Sequence, residues 1–96
     1  MENEEFLPAD ECCVRYNIEL SFIQSLHEFG LIEISTIESR FFIAKDRLPD
    51  LEKFIHLHYE LDINMAGLDA IHHLLEKVKD LQHEILALKN KLNQFE

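Results

Sequence analysis

The C-terminal third of the chain carries an uninterrupted repeat of large apolar side chains every seven residues. Two series run between positions 64 and 95, offset by three residues, which is the a and d spacing of a coiled coil. The eight positions are Ile71, Leu74, Val78, Leu81, Ile85, Leu88, Leu92 and Phe95. We therefore predict one long helix over residues 64–96, with an apolar seam that pairs with a second helix.

This seam favours self-association. A lone helix would expose it to water, whereas burying one large apolar side chain contributes about 2 kcal/mol. The sequence predicts a homodimer through residues 64–96, and its charges do not decide between parallel and antiparallel pairing. Two alternatives stay open: the seam packs back onto the rest of the chain, or it pairs with another protein as a coiled-coil scaffold.

Residues 7–63 have the pattern of a winged helix-turn-helix domain. Positions 7–15 are predicted to form a first helix, with Pro8 in the first turn, where proline is tolerated. Asn17 marks a turn, because asparagine is one of the few residues that adopt a left-handed backbone. A second helix is predicted over 19–29, and two short helices joined in this way form a helix-turn-helix.

A hairpin and a third helix are predicted next. The runs 31–34 and 40–43 are short and rich in β-branched or aromatic residues, which is typical of the two strands of a wing. The third helix is predicted from about Asp46, and its inward arc is Leu51, Phe54, Ile55, Leu57, His58 and Leu61. The inward residues of the second helix are predicted to be Phe22, Ile23, Leu26 and Phe29. The predicted fold class is mainly α: a winged helix-turn-helix with a small β-hairpin and a long C-terminal helix.

Charge and composition restrict the function. Nineteen acidic against nine basic residues give a net charge of −10, which opposes DNA binding because that affinity comes largely from cations meeting phosphates. Residues 1–6 form an acidic tail with no predicted structure.

No signal peptide is expected, and no apolar run is long enough to span a membrane. The two cysteines are adjacent and poorly placed to bridge each other, so we predict a cytoplasmic protein.

The histidines and cysteines do not form a metal-binding pattern. The close histidine pairs are two residues apart or adjacent, so their side chains diverge on a helix: His56 and His58, and His72 and His73. Cys12 and Cys13 lack the spacing of a metal site, and we expect both in or near the core. No nucleophile elbow or phosphate-binding glycine loop is present. We expect no metal, no cofactor and no enzymatic activity.

Over residues 7–95 the order of predicted elements resembles that of MerR-type regulators. Segment 28–32, Glu-Phe-Gly-Leu-Ile, is similar to the end of the MerR recognition helix, and 39–42, an arginine followed by two aromatics, is similar to the wing motif. The order and spacing of the motifs together make the resemblance specific, although no single motif does.

The resemblance is closer to the MerR-like chaperone-modulator (CbpM) family. Residues 57–61, Leu-His-Tyr-Glu-Leu, are similar to the end of that family's third helix. Residues 62–68 resemble its glycine-containing segment, and 81–92 resemble its leucine-rich heptads. The resemblance implies a regulator that binds the J-domain of a DnaJ-like co-chaperone (CbpA type) and blocks its stimulation of Hsp70. The alternative is a MerR-type transcription regulator that binds operator DNA as a dimer.

The exposed face of the second helix favours a protein partner over DNA. In MerR-type DNA-binding proteins the second helix carries arginine at two exposed positions, which are occupied in this chain by Ser21 and Gln24. The other residues of this exposed face are Ser25 and Glu28. A helix entering the major groove would present one carboxylate and no cation.

An acidic surface can attract the basic J-domain helix that the resemblance implies, while affinity requires a few apolar anchors. The candidate partner-binding residues are Phe41, Phe42, Glu52, Tyr59, Glu60 and Asp62. Since alternate residues of a strand face opposite sides, one of the two phenylalanines is predicted to lie in the core. The sequence does not decide which one.

Overall fold

The computed structural model describes residues 5–95, which form four α-helices and a small antiparallel sheet. In chain order the elements are β1 (Phe6–Pro8), α1 (Ala9–Tyr16), α2 (Leu20–Glu28), β2 (Ser35–Ile37), β3 (Arg40–Ala44), a 3-10 turn (Lys45–Arg47), α3 (Leu48–Ile55), a π-helical turn (His56–Glu60) and α4 (Met65–Asn93). β3 is the central strand, with β1 and β2 antiparallel on its two sides. The mainly α fold, with a helix-turn-helix, a wing and a long C-terminal helix, is confirmed.

A three-residue turn at 17–19 joins α1 to α2. Asn17 has the left-handed backbone expected of it, with φ of 57°. The next backbone N–H, that of Ile18, donates to the Cys13 carbonyl at 3.0 Å and closes the end of α1. The predicted helix-turn-helix therefore forms at the predicted place.

The start of the domain differs from the prediction. Leu7 and Pro8 lie in β1 and not in the first turn of α1, and Leu7 pairs with Ile43 of β3. Phe6, which was assigned to the acidic tail, pairs with Ala44. Proline suits an edge strand as well as a first helical turn, and pairing with β3 decides between them. Residues 1–4 of the predicted tail lie outside the described residues.

The first strand of the wing was predicted at 31–34 but lies at Ser35–Ile37. The apolar residues of the predicted strand cap α2 instead. Gly30 has a φ of 76°, and the Leu31 N–H donates to the Leu26 carbonyl at 2.9 Å, the 6→1 bond of a Schellman cap. Leu31 and Ile32 are buried below this cap, which accounts for their hydrophobic character.

The wing turns at Glu38 and Ser39, whose φ values are 51° and 67°. Two consecutive residues with positive φ match the twist of the flanking strands in a two-residue hairpin. Neither residue is glycine or asparagine, so the sequence carries no strong signal for this turn.

The core draws on both helices of the helix-turn-helix, the central strand, α3 and the start of α4. Its buried residues are Ala9, Cys12, Ile18, Phe22, Ile23, Leu26, Leu31, Ile32, Ile43, Leu51, Phe54 and Leu68. Two residues predicted to face inward, Phe29 and Leu61, are exposed. Each lies just past its last helical turn, so the helical periodicity that predicted burial no longer applies.

The third helix begins at Leu48, after a 3-10 turn, and not at Asp46. Pro49 lies in its first turn, where proline is tolerated. Its last turn widens, because the Leu61 N–H donates to the His56 carbonyl five residues back, at 3.3 Å. Asp62, with φ of 59°, ends the segment.

Helix α4 starts at a capped turn. The Asn64 side chain accepts a hydrogen bond from the Gly67 N–H at 2.8 Å. A Cβ on Gly67 would lie 2.6 Å from Cγ2 of Ile63, so any larger residue would force the Ile63 side chain to shift. Leu68 is fully buried and anchors the helix on the domain. Within residues 5–95, no helix combines the length and the apolar character needed to cross a membrane.

Candidate partner-binding surfaces

The apolar seam of α4 faces solvent over most of its length. Of the eight seam residues, Ile71 is half-buried beside the domain and the other seven are exposed. Every residue from 73 to 95 is exposed, so the helix projects from the domain. A 29-residue helix is roughly 43 Å long. The alternative in which the seam packs back onto the domain is therefore excluded.

Four of the predicted partner-binding residues lie on α3 and the turns that follow it: Glu52, Tyr59, Glu60 and Asp62, here called the α3 strip. All four are exposed. The ring of Tyr59 contacts Phe22 of α2, with centroids 5.2 Å apart, which holds the strip against the helix-turn-helix. The structure thus leaves all four residues open to solvent, although the Tyr59 ring is partly engaged in packing.

Two carboxylates of the α3 strip already have partners in the chain. Glu52 accepts a hydrogen bond from the Tyr16 hydroxyl at 2.7 Å, which ties α1 to α3. Glu60 pairs with Nδ1 of His56 at 2.8 Å, one helical turn away. The second contact follows from sequence spacing, whereas no local pattern predicts the first, since its partners are 36 residues apart.

The contact with Glu52 predicts an unusual titration of Tyr16. Burial, and then the hydrogen bond to Glu52, raise the pKa of Tyr16 from its ordinary value of 10.0 to about 12. The raised pKa contributes stability that is fully present below pH 10 and lost as pH rises through about 12. We expect a Tyr59→Phe variant, followed by tyrosinate absorbance, to titrate well above pH 10, and to return to about 10 in urea. A folded-state midpoint at 10 would contradict the Tyr16–Glu52 bond.

The two wing phenylalanines face opposite sides of the sheet. Phe41 shares the face of the buried Ile43 but is 37% exposed, and it borders Leu20 at the start of α2. Phe42 lies half-buried on the outer face, with the Arg40 guanidinium 5.6 Å from its ring centroid. The prediction that one of the pair lies in the core is wrong, because the buried residue of β3 is Ile43.

The exposed face of α2 is the surface that would enter a DNA groove in a reader of this fold. Ser21, Gln24 and Glu28 are exposed as predicted, whereas Ser25 is half-buried, and none of the four is a cation. On α1, Val14 has 84% of its surface exposed. The sequence analysis did not identify Val14 as a surface residue. Its position outside the apolar stripe of α1 indicates that exposure.

The histidines and cysteines serve the packing of the domain. His58 is half-buried, stacks on Phe22 with centroids 4.7 Å apart, and donates from Nδ1 to the Ile63 carbonyl at 2.8 Å. Burial is the first cause that raises the pKa of Cys12 to about 11, so it remains a neutral thiol. Within residues 5–95, no three His, Cys, Asp or Glu side chains cluster closely enough to hold a metal ion.

Comparisons with known proteins agree with this architecture. A family model described as the MerR HTH family regulatory protein matches residues 7–90. The chaperone modulatory protein CbpM of Pseudomonas entomophila (strain L48) is 29% identical over 84 residues, which cover 86% of this chain and 83% of that protein. No solved structure matches. Since the family model covers both the winged domain and most of α4, the chain belongs to the MerR helix-turn-helix regulatory family.

Proposed function

We propose that this protein is a cytoplasmic chaperone modulator that binds the J-domain of a DnaJ-like co-chaperone and blocks its stimulation of Hsp70. The observation that carries the proposal is the similarity to the chaperone modulatory protein CbpM, because it extends over most of both chains. A match limited to the helix-turn-helix would support a fold only. Here the similarity spans 84 residues, more than the winged domain alone contains.

The chemistry of the α2 face supports a protein partner. DNA recognition requires cations that neutralise several phosphates, and this face offers Ser21, Gln24 and Glu28 instead. The nearby cation Arg40 is paired with Asp10 at 3.5 Å. An acidic protein of net charge −10 is suited to attract a basic protein surface.

The active form in this proposal is a homodimer joined through α4. Its support is the exposed seam, which no other part of residues 5–95 covers. Dimerisation would remove seven exposed large apolar side chains per subunit from water. It would also place two winged domains in one particle, so that each dimer presents two copies of every binding surface.

In this proposal the negative charge of the α3 strip attracts the basic J-domain and speeds its association. We expect Glu52→Lys combined with Glu60→Lys to weaken J-domain binding roughly three- to tenfold, mainly through slower association. The difference should shrink at high salt, since screening removes long-range attraction. Stopped-flow mixing at two salt concentrations measures both effects.

Tyr16→Phe is the matched control for this pair of substitutions. It removes the hydrogen bond to Glu52 but leaves both carboxylates in place. We expect it to bind at the rate of the unaltered chain. Unchanged association of the double charge-reversal variant would remove the α3 strip from the interface.

The proposed activity is tested by the ATPase rate of Hsp70 stimulated by its DnaJ-like co-chaperone. Adding this protein should return the stimulated rate to the basal rate, with saturation near one subunit per J-domain. The basal rate of Hsp70 without co-chaperone should not change, which separates J-domain capture from direct inhibition of Hsp70. Stimulation that persists at excess protein would contradict the proposal.

A second candidate function is that of a DNA-binding regulator, which the MerR family match favours. A mobility-shift titration with genomic fragments tests it at physiological salt. A DNA-binding function requires a sequence-specific complex that persists in the presence of competitor DNA. We expect no such complex, because the α2 face carries no cation for phosphates or bases.

A further inference from the structure

A shallow groove runs between the helix-turn-helix and the wing. Its volume is about 250 Å³, and it is lined by Ala9 and Asp10 of α1, Leu20 of α2, and Ser39, Arg40 and Phe41 of the wing. Leu20 and Phe41 are 38% and 37% exposed, so two large apolar side chains lie open on its floor. We call this the wing groove.

The wing groove continues over the outer face of α1. A second depression, lined by Asp10, Glu11, Val14 and Arg15, shares Asp10 with it. Val14 lies one helical turn beyond Asp10 and therefore on the same face of α1. Together the two depressions offer three exposed apolar anchors, Val14, Leu20 and Phe41.

The charge around the groove is acidic. Four exposed carboxylates lie in it or directly beside it in the chain: Asp10, Glu11, Glu19 and Glu38. Two guanidinium groups oppose them, and that of Arg40 is already paired with Asp10. An apolar floor with a rim of net negative charge complements a helix that carries apolar residues on one face and Lys or Arg beside them.

We propose that the wing groove is the anchoring site for a basic amphipathic helix of the J-domain. The inference rests on the proposed function and goes beyond it, because it assigns the contact to the groove between the helix-turn-helix and the wing. The α3 strip then supplies attraction at a distance, while Val14, Leu20 and Phe41 supply most of the affinity. Of the two wing phenylalanines, Phe41 contacts the partner and Phe42, on the outer face of the sheet, does not.

Neighbouring phenylalanines provide a matched pair of variants. We expect Phe41→Ser to weaken J-domain binding by roughly tenfold or more, as removal of a buried anchor does, and Phe42→Ser to leave it within about twofold. Both variants are titrated calorimetrically as full chains against the purified J-domain. Thermal denaturation of each variant establishes that it is folded at the titration temperature.

Val14→Lys tests the groove without touching the core. Val14 is 84% exposed, so this substitution should leave stability unchanged. It places a cation where a basic helix would dock, and binding should again weaken roughly tenfold.

The possible outcomes distinguish failure of the groove assignment from failure of the proposed function. If the unaltered chain binds no J-domain, the proposed function fails and the groove assignment fails with it. If the unaltered chain binds and both Phe41→Ser and Val14→Lys bind equally well, the proposed function stands and the groove assignment is overturned. Equal losses in Phe41→Ser and Phe42→Ser would also overturn it, because the two side chains lie on opposite faces.

Discussion

Leu81→Glu is expected to convert the proposed α4-paired dimer to a monomer. The substitution removes two leucines from the paired seam, one per subunit, which costs about 4 kcal/mol or roughly a thousandfold in the dimer dissociation constant. The two carboxylates that replace them would lose hydration inside the seam and weaken pairing further. Sedimentation velocity at micromolar concentration distinguishes the two states.

Leu86→Glu is the matched control for this substitution. Leu81 and Leu86 have nearly the same exposure, 56% and 57%, but Leu86 lies at neither an a nor a d position. We expect Leu86→Glu to remain dimeric. Dissociation of both variants alike, or a monomeric unaltered chain, would contradict pairing through the seam.

Phe54→Ala is expected to destabilise the domain by about 3–5 kcal/mol. Phe54 is fully buried, and its ring lies 5.8 Å from that of His72 at the base of α4. The cavity left by the ring would therefore loosen both the core and the attachment of the long helix. In a domain of this size the unfolding midpoint should fall by about 15 °C or more at fixed protein concentration.

Leu86→Ala is the control for the loss of apolar surface. Its side chain is exposed, so we expect stability to change by less than about 0.5 kcal/mol. Urea denaturation measures both variants. A loss below 1 kcal/mol for Phe54→Ala would mean that the ring does not fill the core between α3 and α4.

The helical part of the fold could be predicted because its periodicity is set by local chemistry. The a and d repeat of α4 and the left-handed turn at Asn17 each depend on a few neighbouring residues. The inward faces of α2 and α3 followed from the same periodicity. The helical periodicity wrongly predicted burial of Phe29 and Leu61, because each lies just after the end of its helical segment.

The wing was predicted with the wrong first strand because strand pairing is a long-range property. Leu31 and Ile32 have the composition of a strand but cap α2 and fill the core. The strand pairs through a Glu38-Ser39 turn that has no glycine or asparagine to mark it. The addition of β1 to the sheet likewise depends on β3, which is distant in the chain.

The candidate surfaces were predicted only in part. Sequence reasoning identified the acidic residues of the α3 strip, because a helical wheel separates them from the core. It could not place Leu20, whose exposure depends on how the wing packs against α2. It also could not show that Glu52 holds the hydroxyl of Tyr16, since that contact joins two separate helices.

Calorimetric titration of the unaltered protein with a purified J-domain of a DnaJ-like co-chaperone tests the central claim most directly. At physiological salt we expect saturable binding with a dissociation constant in the micromolar range or below, and weaker binding as salt rises. The titration is made at two temperatures, because apolar burial changes the heat capacity and binding cannot be silent at both. Absence of binding heat at both temperatures would contradict the assignment as a chaperone modulator.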